Sequence, residues 1–232
     1  MSLLDRILGP KASREEADEN PARYWTPMVL FTVSAILLIA SILLPFWVLD
    51  LTAPQYPEGL TIHAYVNRLE GDVTELETLN HYIGLPSFED GAQLERSVSI
   101  AGIVALAGLL LAGLYIRSRW VLLFALPAVL FPLIFVADLQ FWLWRYGHDL
   151  DPSAPLSNSI GSFTPPIFGS SKIGNFTTHA TPGIGLIIAI IAAVVTMVGL
   201  WFHRRAYKPL VDELALEAAA AATAEGADPA TA

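Results

Sequence analysis

Four uninterrupted apolar blocks decide most of what this chain can become. They run from Pro27 to Leu49, Val98 to Ile116, Trp120 to Trp144 and Gly183 to Phe202. Each is close to the ~20 residues that a helix rising 1.5 Å per residue needs to cross a hydrocarbon core of about 30 Å. Charged residues make up 15% of the chain, against roughly a quarter in an ordinary soluble domain. Trp25, Trp47, Trp120, Trp142, Trp144 and Trp201 all fall at block ends, where amphipathic rings favour the membrane interface.

The blocks divide the chain into a leader (1–26), a first span (27–49), a first outer loop (50–97), a second span (98–116) and a tight link (117–119). A third span (120–144), a second outer loop (145–182), a fourth span (183–202) and a tail (203–232) complete it. Lys and Arg set the orientation. Arg6, Lys11, Arg14, Arg23, Arg117, Arg119, Arg204, Arg205 and Lys208 lie on one side, against Arg68, Arg96, Arg145 and Lys172 on the other. The pattern predicts an all-α integral membrane protein, a four-helix transmembrane bundle with both termini in the cytoplasm. The first block is too long, and its leader too acidic, for a cleaved signal peptide. Leu3, Leu4, Ile7 and Leu8 of the leader could lie on the membrane as a short amphipathic turn. The Ala-rich tail reads as partly disordered.

Both outer loops far exceed the 12–15 residues beyond which a connection is usually functional or disordered. Their interleaved aromatics and turn residues predict a small mixed cap in which the two loops fold together. Leu60, Ile62, Ala64 and Val66 alternate with Thr61, His63, Tyr65 and Asn67, as in a half-buried strand. Asp72 and Glu75 have capping-box spacing for a helix over Thr74–Ile83, ended by Gly84 and Pro86. On that helix Glu77 and His81 share a face. In the second loop Pro165-Pro166 imposes an extended segment. Asn175-Phe-Thr-Thr matches a glycosylation sequon but reads as a turn.

Composition removes several functions. A net charge of −9 argues against nucleic-acid partners. Without cysteine the chain has no disulfide, iron–sulfur cluster or thiolate zinc site. Met1, Met28 and Met197 all lie outside the outer loops, so no thioether cluster forms there. The spans carry no interior histidine for haem, and no H-E-x-x-H, G-x-S-x-G or phosphate-binding Gly-rich loop occurs.

Four histidines, His63, His81, His148 and His179, gather in the outer loops. His81 and His148, with Asp149 or Asp151, could form a nitrogen/oxygen metal site suited to Cu(II); the plainer alternative is that each hydrogen-bonds within a folded loop. The first loop is acidic, which reads first as a solvated surface. Asp138 lies within the third block and shares a helical face with Phe141, Trp142 and Arg145. It is either a proton or ion relay towards His148 or an interfacial brace to Arg145, the brace being favoured.

APQYPEGL (53–60), GD…LNHYIGL (71–85), YGHDLDP (146–152) and FTPPIFG…NF (163–176) resemble a family of bacterial four-span membrane proteins often encoded beside the maturation genes of the copper enzyme nitrous-oxide reductase. The resemblance covers roughly residues 27–203 and leaves out the leader and the tail. It rests on Tyr56, Pro57, Glu58, Gly59, Asn80, His81, Tyr82, Gly84, His148, Asp151, Pro152, Pro165, Pro166, Gly169, Asn175 and Phe176. It implies an inner-membrane location with loops facing the periplasm, and a context of copper-enzyme maturation or electron supply. The resulting expectation is a non-enzymatic accessory protein that contacts the lipid bilayer and a periplasmic or membrane protein partner. His81, His148, Asp151 and Asp149 would be its metal ligands, with copper as the candidate metal, and Tyr56, Glu58, Asn80, Tyr82 and Asn175 would shape the site. The alternatives are a small ion or proton transporter or redox component using Asp138, and a structural subunit of a larger complex.

Overall fold

The computed structural model describes residues 7–10, 18–88, 90–173 and 175–226. Leu3 and Leu4, with Arg6, Lys11 and Arg14 of the charge count, lie outside the described residues. Among the described residues four helices are long and apolar enough to cross a membrane: α1 (Pro21–Ser41), α3 (Gln93–Gly113), α4 (Val121–His148) and α6 (Ile184–Gly226), the last qualifying over Ile184–Glu217. A shorter α2 (Val73–Ile83), a single-turn α5 (Ser157–Ile160) and five strands complete the fold. The strands are β1 (Trp47–Ala53), β2 (Tyr56–Ala64), β3 (Leu69–Gly71), β4 (Gly169–Ile173) and β5 (Phe176–Pro182). The protein is therefore mostly helical but not all-α.

The chain separates into two compact units. One combines Met1–Ala35, Leu106–Val129 and Val194–Ala232; the other combines Ile36–Ala105 and Leu130–Ala193.

The first unit is built from helix. Pro21 opens α1, where its missing N–H removes no helical bond. Small side chains let helices approach closely: Ala125, Ala128, Thr196 and Ala206 are at most 1% exposed. A Cβ on Gly199 would stand 2.9 Å from the Phe31 ring. The link from α3 to α4 is held to other segments by its backbone. Arg117 N–H donates to the Leu8 carbonyl at 2.7 Å, and the Ser118 hydroxyl to the Ile7 carbonyl at 2.5 Å. His203, buried in α6, donates from Nε2 to the Ile116 carbonyl at 2.8 Å. Its ring continues into Tyr207 and Tyr24 through centroid distances of 4.8 and 5.6 Å. In the tail the helix continues as far as Gly226, the Ala-rich run having the highest helix propensity available; the rest of the segment expected to be partly disordered lies outside the described residues.

The second unit holds an antiparallel sheet of order β3-β2-β1-β5-β4. Strand β1 comes from the first apolar block, whose expected span to Leu49 is corrected here. The helix ends at Ser41, Pro45 interrupts any continuation, and Phe46 N–H donates to the Ala64 carbonyl at 2.7 Å to start the sheet. An apolar run alone does not separate a span from a buried strand. β1 then pairs with β2 on one side and β5 on the other, so the two outer loops do fold together. Trp47 is 6% exposed and donates from Nε1 to the Ile167 carbonyl at 2.6 Å. It is a core residue of this unit and not an interfacial ring.

One face of the sheet packs on α2. Leu51, Ala53, Leu60, Ile62 and Phe176 meet Leu76, Leu79 and Ile83 in one buried cluster. α2 starts and stops where the sequence predicts, with Gly84 left-handed at φ 87° and its N–H on the Asn80 carbonyl. The capping box does not form. Asp72 N–H already donates to the Thr61 carbonyl at 3.0 Å, and its carboxylate accepts from Thr61 N–H at 2.8 Å. Sheet pairing takes the groups that the box would use.

Candidate functional site

The expected site residues gather around the C-terminal end of α2, but not as metal ligands. α4 continues through Arg145 to His148, so these belong to the helix and not to the loop. His148 is exposed; its Nδ1 donates to the Trp144 carbonyl at 2.8 Å and its ring stacks on Trp144 at 4.8 Å. Asp151 N–H donates to the Gly84 carbonyl at 2.8 Å, and Leu156 N–H to the Tyr82 carbonyl at 3.0 Å. These two bonds bring the LNHYIG and YGHDLDP segments together. A Cβ on Gly84 would lie 2.8 Å from the Ala154 Cβ, which is why this turn requires glycine.

The side chains do not follow the backbone. The Asp151 carboxylate accepts from Ser153 N–H at 2.8 Å and Ser153 Oγ at 2.7 Å, bonds that hold its pKa below the ordinary value. His81 and Asp149 are exposed. Among the described residues no group of three or more His, Asp or Glu is placed to hold a metal ion. His81, His148, Asp149 and Asp151 form no such group.

The shaping residues have structural duties. Asn80 is 2% exposed. Glu77 accepts from Asn80 Nδ2 at 3.4 Å and from Phe88 N–H at 3.2 Å. Tyr146 donates to the Ser87 carbonyl at 2.7 Å and stacks on Phe88, while Arg96 donates to the carbonyls of Asn67, Phe88 and Gly91. Together these fix the segment between α2 and α3. Tyr56 packs against the α2–sheet core, Glu58 is exposed on β2, and Asn175 stands in the turn between β4 and β5. Beside them an open groove of about 730 Å³ is lined by Val73, Thr74, Glu77, Thr78, His81, Tyr82 and Pro155.

Asp138 and Arg145 form no ion pair among the described residues. The Arg145 guanidinium instead lies 5.4 Å from the Trp142 ring. Seven residues of helix set the Asp138 and Arg145 Cα atoms about 10 Å apart along the axis. The favoured brace is thus replaced by a cation–π contact.

The other face of the sheet was not anticipated. Antiparallel register places Thr61, Asp50, His179 and Ser170 in one row across β2, β1, β5 and β4. Thr61 Oγ1 donates to Asp50 Oδ1 at 2.7 Å, and Ser170 Oγ and His179 Nδ1 are hydrogen-bonded at 2.9 Å. A second row carries Glu70, His63, Val48 and Thr181, and a third Thr52, Thr177 and Lys172. His63 Nδ1 is buried without a hydrogen-bond partner. At the β2–β3 hairpin Arg68 donates to Glu70 at 2.5 Å and stands 4.0 Å from the Tyr65 ring. Chiefly through the Arg68 hydrogen bond, the Glu70 pKa is lowered; that of Tyr65 is raised by desolvation and then by its bond to Glu70. The signal for this face lay in FTTHATP, where Phe176, Thr178 and Ala180 are buried and Thr177 and His179 exposed.

No protein-family model matches this chain, and no curated protein matches it.

Proposed function

We propose that this is a non-enzymatic membrane accessory protein. Four spans in N-in/C-in orientation in a bacterial inner membrane would hold the sheet and α2 on the periplasmic side to engage a protein partner. The observation that carries this reading is the asymmetry of the sheet. One face is sealed by α2, and the other presents three rows that are polar but for Val48, with Thr52, Glu70, Ser170, Lys172, Thr177 and His179 exposed. Antiparallel sheets often leave one face to solvent. Here the polar face is joined to four lipid-type helices, which keeps it close to a membrane-associated partner. The resemblance supplies the context, maturation or electron supply of a copper respiratory enzyme of the nitrous-oxide reductase type.

The test is genetic and quantitative. In a denitrifying host that lacks the gene, nitrous-oxide reductase activity and copper content should fall and return with the wild-type chain. Thr177→Arg with His179→Arg should fail to restore them at normal membrane levels. Undiminished reductase in the deletion strain would remove the copper-enzyme context.

A second reading, ion or proton movement, is favoured by Asp138. It is a half-buried carboxylate in α4 with no ion pair among the described residues. Intramembrane carboxylates commonly mark ion paths. Flux in liposomes that disappears in Asp138→Asn would favour it over the accessory role.

A further inference from the structure

The rim of the first unit combines exposed aromatic rings with guanidinium groups that enter no ion pair among the described residues. Trp25, Tyr115, Trp120 and Trp201 are 66, 71, 44 and 55% exposed. Arg23, Arg119, Arg204, Arg205 and Lys208 are exposed as well. Arg23 Nη2 donates to the Arg205 carbonyl at 3.1 Å, which ties the first turn of α1 to the middle of α6. The Arg205 guanidinium stands 5.6 Å from the Trp201 ring. The bond from His203 to Ile116 ties α6 to the end of the segment that leads into Arg119. Among the described residues Arg23, Arg119, Arg204 and Arg205 enter no ion pair, and only Lys208 reaches a carboxylate, Asp212 at 4.0 Å. Met28, Leu122 and Val198 are exposed along the adjoining helices, an apolar surface for acyl chains.

We propose that this rim is a binding site for anionic phospholipid headgroups, with Arg119, Arg204 and Arg205 as the phosphate-facing residues. A guanidinium matches phosphate oxygens in pairs. Trp rings hold the glycerol level of the interface, and the bare apolar helix surface takes the chains. Arg119, Arg204 and Arg205 have no carboxylate partner among the described residues, and an anionic headgroup supplies the missing negative charge where a zwitterionic headgroup does not. An acidic peptide would satisfy the arginines but not the aromatic and apolar surface next to them.

Full-length protein in bilayers, with spin-labelled phosphatidylglycerol or phosphatidylcholine, measures the relative association of each lipid with the protein boundary. The expected preference for phosphatidylglycerol is about tenfold, shrinking as salt is raised. Arg119→Gln, Arg204→Gln and Arg205→Gln together should bring it close to one. Lys at the same three positions should keep most of it. A control with Arg68→Gln and Lys172→Gln should leave it unchanged. Equal association of the two lipids with the wild type overturns the proposal, as does a preference that survives the Gln triple or falls in the control. Loss of the preference on adding inorganic phosphate at constant ionic strength would overturn the lipid as occupant. Should the Gln triple not fold, the wild-type preference and its retention in the Lys triple still decide.

Discussion

The two units satisfy their backbones in different ways. Among the described residues the regular structure of the first unit is helix, in which N–H and C=O groups pair along the same helix. Bonds to other segments include Arg117 to Leu8 and His203 to Ile116. In the second unit the sheet pairs residues from loops separated by more than a hundred positions, as with Asp50 and His179. Helix is self-sufficient and therefore suits lipid, whereas a sheet with edges needs water or a partner there. Charge follows the same division. The second unit has twelve carboxylates against four basic side chains, and the first has ten against nine. Each of the four long helices contributes residues to both units, whereas the sheet lies wholly in the second.

The largest effect that would break this contrast is in the α2–sheet core. Leu79 is 5% exposed in the cluster with Leu60, Ile62 and Phe176. Leu79→Ala should cost about 2–5 kcal/mol. Hydrogen exchange should show lost protection in β1, β2 and α2, with the amides of Leu110 and Thr196 unchanged. Equal loss in both units would mean that they unfold as one.

His203→Ala asks the corresponding question of the first unit. The imidazole is 5% exposed and is the hydrogen-bond partner of the Ile116 carbonyl. Removing it leaves a buried acceptor unpaired, a cost of about 1–3 kcal/mol. Thermal unfolding of the purified protein should register it, and exchange at the 117–118 link should rise while β1 and β5 stay protected. An unchanged melting point would show that water replaces the imidazole at no cost.

The four long helices were legible because each apolar block is longer than any strand and has nothing to interrupt it. The position of α2 was legible because Asp72, Gly84 and Pro86 frame it. β1 was hidden: WVLDL follows the first block without a break in hydropathy, and only Pro45 marks the change of structure. β5 carried its alternation openly, but its partner β1 is far away in the chain, and register across such a distance is not written in either segment. For the same reason the row Thr61–Asp50–His179–Ser170 could not be assembled from sequence. His81 and His148 led to an expected site because their segments do meet. Local bonds to Trp144 and Ser153 decide where His148 and Asp151 point, and those depend on rotamers that spacing does not determine.

Trp47→Phe sharpens the contrast with a smaller change. It keeps the ring in the core but removes the bond from Nε1 to the Ile167 carbonyl, one of the ties between β1 and the second loop. About 0.5–1.5 kcal/mol of stability should go with it. Proteolysis should become faster within residues 161–168 while the first unit is cut no faster. Unaltered cleavage there would mean that strand pairing alone holds the loop.

The smallest effect expected is that of acid on the β2–β3 hairpin. Glu70 is held below its ordinary pKa of 4.5 by the hydrogen bond from Arg68 and, less, by Tyr65. A carboxylate with a lowered folded pKa adds stability above its unfolded value and loses that contribution as pH falls through the folded one. The hairpin should therefore loosen only below about pH 4.5, with no change between neutral and mildly acidic conditions. Asp151, also lowered, acts in the same direction at the end of α2, so the background for the measurement is Asp151→Asn. In that background, ring signals of Tyr65 followed by NMR should shift with Glu70 as the pH is lowered, and Glu70→Gln should remove the shift. Because both side chains of the pair are more than two-fifths exposed, salt should weaken the effect. A salt-independent transition, or one that persists in Glu70→Gln, would place the acid sensitivity of this unit elsewhere on the polar face.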